Sequence, residues 1–259
     1  MTASSTTRWL ALVLAIAFIS RSADAQVCTG AAPFSNGNVR VDVGGGSTSF
    51  GFSGADGGSS SGVQLALGAS RGAFAAVGAS VSLYTSSDIR FIREKFAAAT
   101  SDDASSGTLS YSGGYSISLS PSRHIELCPI AGVALQNGPS MYLQCTPYIP
   151  GSGISCNGST SGSARALWFG GSIGRIKQVS PGFALVPFAG AAFVSSRIAA
   201  GERSQTDGYV EVSVGAGVVV KRLTIRPTAG FSIGRDRGGG GVGGFQLSLN
   251  IGRKRVRKE

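Results

Sequence analysis

Apolar residues recur at every second position along most of this chain. In VEVSVGAGVVV, residues 210–220, Val210, Val212, Val214, Ala216, Val218 and Val220 share one face, and Glu211, Ser213, Gly215 and Gly217 share the other. A period of two belongs to a β-strand, whose side chains point alternately to opposite sides. One apolar row and one small or polar row suit a strand with lipid outside and a polar lumen inside, the pattern of a transmembrane β-barrel. Ten segments read as strands: 38–53, 60–71, 73–85, 107–119, 125–137, 163–177, 183–197, 207–220, 223–234 and 242–252. The first is irregular, because Val39, Val41 and Val43 are out of register with Phe50 and Phe52 across Gly44, Gly45 and Gly46. A glycine bulge would reconcile the two halves, and without it the count falls to about eight.

The connections alternate in length. Tight turns fall at Arg71-Gly72, 120–123, 178–182 and Lys221-Arg222, and longer loops at 54–59, 86–106, 138–162, 198–206 and 235–241. In outer-membrane barrels the short turns face the periplasm and the long loops face outside, which makes both termini periplasmic and the strand number even. The expected fold is therefore all-β: a closed, antiparallel, up-and-down transmembrane barrel of about ten strands, in a bacterial outer membrane.

The first 25 residues have the layout of a secretory signal, with Arg8 ahead of the apolar run WLALVLAIAFIS and Ala23-Asp24-Ala25 ahead of a cut at Gln26. That run of about 12 apolar residues is too short for a membrane helix, which needs roughly 20. Gln26 and Val27 also lack the small size that a lipidation site wants before Cys28. The expected organisation is a signal peptide (1–25), an N-terminal periplasmic segment (26–37), the barrel (38–252) and a basic C-terminal tail (253–259).

Composition adjusts this picture only a little. Glycine supplies 40 of 259 residues, about twice the usual share of roughly 7%, as a narrow lumen and tight turns require. Of the net charge of +10, the tail RKRVRKE holds five basic groups against one Glu. What remains is too diffuse for a nucleic-acid surface, whereas the tail is a candidate contact for anionic lipid or cell-wall polymer.

Three strands leaving tight turns share one arrangement: IELCPIAGVAL (125–135), FALVPFAGAAF (183–193) and LTIRPTAGFSI (223–233). Proline has no N–H to give a sheet, so Pro129, Pro187 and Pro227 at one height imply a repeated break in the ladder. Descent from a duplicated hairpin is the simpler reading, and a shared rim feature is the other.

The pattern as a whole, from about Asn38 to Gly252, resembles the small outer-membrane β-barrel proteins of the OmpA/OmpX-like group. The closing strand GFQLSLNIG looks in part like the terminal assembly signal of such chains, although here the sequence runs on into the basic tail instead of ending on an aromatic residue. The resemblance implies outer-membrane lipid and the outer-membrane assembly machinery as partners, and a monomer.

Four cysteines in an exported chain imply disulfides. Cys145 and Cys156 lie in one external loop, while Cys28 precedes the first strand and Cys128 faces the lumen near the periplasmic rim, so topology favours the pairs Cys28–Cys128 and Cys145–Cys156. Their spacing fits no metal-ligand pattern, and no metal or cofactor is expected. Catalysis fares no better. The only histidine, His124, falls in a periplasmic turn, the wrong side for barrels that act as hydrolases with His and Ser, Asp or Glu near the outer surface. Asp102-Asp103 reads as a solvated loop, and GRDRGGGGVGG (234–244) as a hairpin loop with no helix behind it to bind phosphate.

Two further segments carry expectations. SDIRFIREKFAAAT admits a short helix with Asp88 as N-cap and Ile89, Ile92 and Phe96 along one side, or a continued strand or loop. Arg40, Asp42, Glu126 and Arg226 are expected to point inward near the periplasmic end, where an ion-pair network would occlude a narrow bore. The expected function is a non-enzymatic outer-membrane barrel with a structural or interaction role, or a narrow porin-like pore. The competing classes are a secreted soluble β-sandwich or adhesin, which would bury the row Phe245, Leu247, Leu249 and Ile251 against a second sheet, and an outer-membrane hydrolase.

Overall fold

Alternation of small lumen residues with bulky outer ones closes the chain on itself. The computed structural model describes residues 27–31, 38–48, 58–68, 72–84, 88–91, 96–100, 104–144, 159–234 and 240–251. Its strands are β1 (Val39–Thr48), β2 (Gly58–Gly68), β3 (Ala73–Tyr84), β4 (Asp88–Phe91), β5 (Phe96–Thr100), β6 (Ala104–Tyr115), β7 (Ile117–Ser120), β8 (Ile125–Gln144), β9 (Ser159–Arg175), β10 (Lys177–Ser180), β11 (Phe183–Ala200), β12 (Arg203–Val220), β13 (Leu223–Gly234) and β14 (Gly240–Ile251). β6 with β7, and β9 with β10, each form one wall strand interrupted near its lower end, so the wall has ten strands. Every pairing is antiparallel, and β1 meets both β2 and β14, running from Val39↔Ile251 to Thr48↔Val242 against the latter. That last pairing removes the sheet edges.

The outward rows stay uncovered. Leu167 and Phe169 are 62% and 64% exposed, and Leu109, Tyr111, Ile233 and Ile251 are exposed with them. A soluble sandwich would bury such rows; a bilayer accepts them at roughly 25 cal/mol per Å² of apolar surface taken from water. The sandwich alternative is thereby excluded.

Several expectations need correction. β1 pairs without a register shift on either side, so no bulge occurs at Gly44–Gly46; Phe50 and Phe52 lie outside the described residues. The loop expected at 198–206 is a two-residue turn, because β11 runs to Ala200 and β12 starts at Arg203. The helix admitted at 88–96 is a hairpin instead, with Phe91↔Phe96 pairing β4 to β5 and Ala97↔Gln144 joining β5 to the outer end of β8. β8 itself extends past the expected residue 137 to Gln144, with a register shift against β9 between Asn137 and Ser140.

Candidate functional site

The repeated prolines break the wall in one way three times. Pro129, Pro187 and Pro227 all sit on the outward, exposed row. Between β6 and β7 the ladder to β8 skips Tyr115 and Ser116, opposite Cys128 and Pro129, since pairing stops at Gly114↔Ile130 and resumes at Ile117↔Leu127, while Tyr115 still pairs with Ala73 of β3. Between β9 and β10 the ladder to β11 skips Arg175 and Ile176, opposite Val186 and Pro187. Between β12 and β13 the ladder skips Ala216 and Gly217, opposite Arg226 and Pro227. Each ladder skips two residue pairs beside a proline, which offers no N–H, and resumes in the same register.

A segment from the N-terminus occupies the bore at this level. Residues 26–37 were expected to hang in the periplasm; the structure instead seats Val27–Thr29 as one turn of 3-10 helix inside the barrel mouth, closed by a 3.0 Å bond from the Gly30 amide to the Val27 carbonyl. Gly30 has φ +73°, and a Cβ there would strike the Phe188 ring, so only glycine serves. The turn rests on two glycines of the wall: a Cβ on Gly174 would strike the Val27 carbonyl, and one on Gly217 the Gly30 carbonyl. Val27 packs with Ala184, Val186 and Val219, and Ile176 of the second break lies against that cluster.

Polar contacts fix the turn from the other side. The Val27 amide donates to Glu126 Oε2 at 3.3 Å, and Ser116 Oγ of the first break donates to the same oxygen at 2.6 Å. Arg226 Nη1 donates to the Thr29 carbonyl. A disulfide joins Cys28 to Cys128, with Cα atoms 5.9 Å apart across a sequence separation of 100. Cys28, Cys128 and Glu126 place their ligand atoms within 4.8 Å of one another, but both sulfurs are committed to the disulfide, which leaves no thiolate for a metal. Cys145 and Cys156 lie outside the described residues.

The four lumen charges named from the sequence sit around this turn. Arg40 Nε lies 2.8 Å from Asp42 Oδ1, with the two side chains 5% and 0% exposed. Arg226 and Glu126 are buried as well, and so are Phe74, Ser116, Thr224 and Ser248. An open bore would wet the inward side chains of its wall. Here those of β1, β3, β8, β11, β12, β13 and β14 at this height are dry. His124 stands apart, exposed in the turn before β8 with φ +51°.

Above the rim the lumen is hollow. One cavity of about 360 Å³ is lined by Ile130, Trp168, Ser172, Tyr209, Glu211 and Ser213. A second of about 340 Å³ lies against the opposite wall, beside Gly44, Ser60, Gln64, Ser110, Thr228 and Gln246. Nearer the outer end, Gln205 Nε2 donates to Asp207 Oδ1 at 2.9 Å, both residues buried. Sequence reasoning passed over these inward residues of β12, although their parity with Ser213 marks them.

A ten-stranded antiparallel barrel with a bare apolar belt is the fold of outer-membrane β-barrels. It is similar to the β domain of the Bordetella autotransporter BrkA, at 13% identity over 84% of this chain and 100% of that one, with a TM-score of 0.53. The translocator domain of the autotransporter NalP from Neisseria meningitidis (12% identity, 96% of this chain and 95% of that one, TM-score 0.45) and the outer membrane protease OmpT from Escherichia coli (10% identity, 83% and 97%, TM-score 0.44) are more distant in shape. At such identities the likeness is one of fold. No protein-family model matches the chain, and no curated protein does.

Proposed function

We propose that this chain is a non-enzymatic outer-membrane barrel of the small OmpA/OmpX-like kind, exported by its leader to begin at Gln26, with a structural or interaction role. Its bore is stopped at the periplasmic rim by the turn at Val27–Thr29. The observation that carries this reading is the tethered turn at residues 27–31, ringed by buried side chains from most of the wall strands. A narrow pore needs a continuous wet path, and the buried side chains around Val27–Thr29 speak against one at the rim. The exposed His124, in the turn before β8 and so at the periplasmic end, speaks against hydrolysis at the outer surface. The basic tail is then free to meet anionic lipid or cell-wall polymer at the periplasmic face.

Planar-bilayer recordings test the seal. The wild type should conduct little, and Cys28→Ser combined with Arg226→Ala, which removes the tether and the hydrogen bond to Thr29, should open steady current. His124→Ala should leave any cellular phenotype intact. A large steady conductance in the wild type would make the protein a diffusion pore, and a lipid- or peptide-cleaving activity lost with His124 would make it an enzyme.

A further inference from the structure

We infer that the larger of these two cavities is a binding site for a small organic cation, held by the Glu211 carboxylate beside the aromatic side chains of Trp168 and Tyr209 that line it. Trp168 and Tyr209 stand level with each other on either side of Val194, through the pairs Val194↔Trp168 and Val194↔Tyr209. The Trp168 indole lies over Gly132 of β8, where a Cβ would strike the ring, and it lines one slot together with Tyr209, Glu211 and Ser213. Val194, between Trp168 and Tyr209, is buried and forms the apolar floor. One step toward the rim, Ala192 pairs with both Glu211 and Gly170, so the carboxylate rises at the lower edge of the slot beside residues too small to fill it.

Charge fixes the ligand class. Glu211 is partly buried, and no cationic side chain among the described residues pairs with it. The lumen cations described, Arg40 and Arg226, sit at the rim among Asp42 and Glu126. Asp207, the other inward carboxylate of β12, adds negative charge on the outer side. A chain of net charge +10 thus keeps an anionic chamber, which attracts cations and repels anions. Aromatic faces with a nearby carboxylate suit an alkylammonium group, through cation–π attraction and ion pairing together. A hydrated inorganic cation would gain nothing from the aromatic walls. The volume of about 360 Å³ stands at the small end of ligand pockets, which span roughly 300–1,000 Å³.

This inference deepens the stopped-bore reading and fails separately from it, since binding is read without conduction. Trp9 and Trp168 are the only tryptophans, so the exported protein starting at Gln26 carries the slot's own indole as its single tryptophan reporter. Choline, titrated into the detergent-folded protein, should change Trp168 fluorescence saturably, and sodium chloride at the same ionic strength should not. The neutral isostere 3,3-dimethylbutan-1-ol should bind at least tenfold more weakly. Glu211→Gln should weaken choline at least tenfold, and Tyr209→Leu about three- to fivefold, each with unchanged heat-dependent gel mobility. If Glu211→Gln does not fold, the choline and isostere comparison on the wild type decides. A fluorescence change that never saturates, or equal affinity for choline and its neutral isostere, overturns the assignment.

Discussion

Arginine placed along the outward row of β12 reads the depth of that strand in the bilayer. Val214 is 52% exposed on the outer face, with Ala189 and Ala229 beside it across the sheet and no side chain above it. It lies six residues from Val220, the last of the strand. At about 3.4 Å per residue and a tilt of about 40°, that is about 16 Å along the membrane normal. An apolar band about 25 Å tall then has its midplane near Val214 and its lower edge near Val220. Val214→Arg should cost about 2–4 kcal/mol, and Val220→Arg, where the guanidinium reaches water, about 0–1 kcal/mol. Urea titration of the protein folded into phosphatidylcholine vesicles, followed by gel mobility without boiling, measures both. Equal penalties at the two positions would refute the belt, because a soluble protein has no such gradient along a strand.

The rim yields two more predictions. Asp42→Ala leaves Arg40 buried without its 2.8 Å partner and should destabilise the barrel by about 3–5 kcal/mol in the same titration; a loss below about 1 kcal/mol would mean that the pair is wet. Gly217→Val pushes a side chain into the seat of Gly30 and should lower the fraction of Cys28 recovered with Cys128 in non-reducing peptide mapping, while heat-modifiable mobility persists. Full recovery of that link would show that the turn does not rest on Gly217.

Much of this fold was legible because lipid and lumen impose a period of two on every strand they flank, and the rows at Val210–Val220 and Phe245–Ile251 obey it. The signal fades beyond the bilayer. GERSQTDG, residues 201–208, has no apolar row, yet Arg203–Gly208 are strand, and Arg197 Nη2 bonds to Ser204 Oγ across the hairpin at 2.8 Å. Outside lipid a strand needs only its ladder, so composition alone reads as a loop. Residues 88–100 mislead for another reason: Ile89, Ile92 and Phe96 have helical spacing while Ile89 and Phe91 alternate as in a strand, and pairing with the far end of β8 decides. The inserted turn was within reach. Cys128 shares the parity of the inward Glu126 and Ile130, so a partner for it must enter the bore, a step that reading Cys28 as part of a periplasmic segment does not take.

Descent from a duplicated hairpin would give three hairpins a shared proline, but would not gather all three breaks around one short turn. At each break the wall presents an unpaired stretch toward the lumen: Ser116 in the first, Ile176 in the second, Gly217 in the third. The freed amides find local carbonyls, Ser116 N on Gly72 O at 2.9 Å and Ile176 N on His124 O at 3.2 Å, so the breaks cost few buried hydrogen bonds. What remains is shape. Ser116 holds Glu126 toward the Val27 amide, Ile176 backs the Val27 cluster, and Gly217 leaves room for Gly30. A regular ladder would have carried larger inward side chains past this height without a seat. The lipid-side prolines thus coincide with the lumen-side seat of the turn, which is held in the barrel mouth by one disulfide, by hydrogen bonds from Val27 to Glu126 and from Arg226 to Thr29, and by packing around Val27.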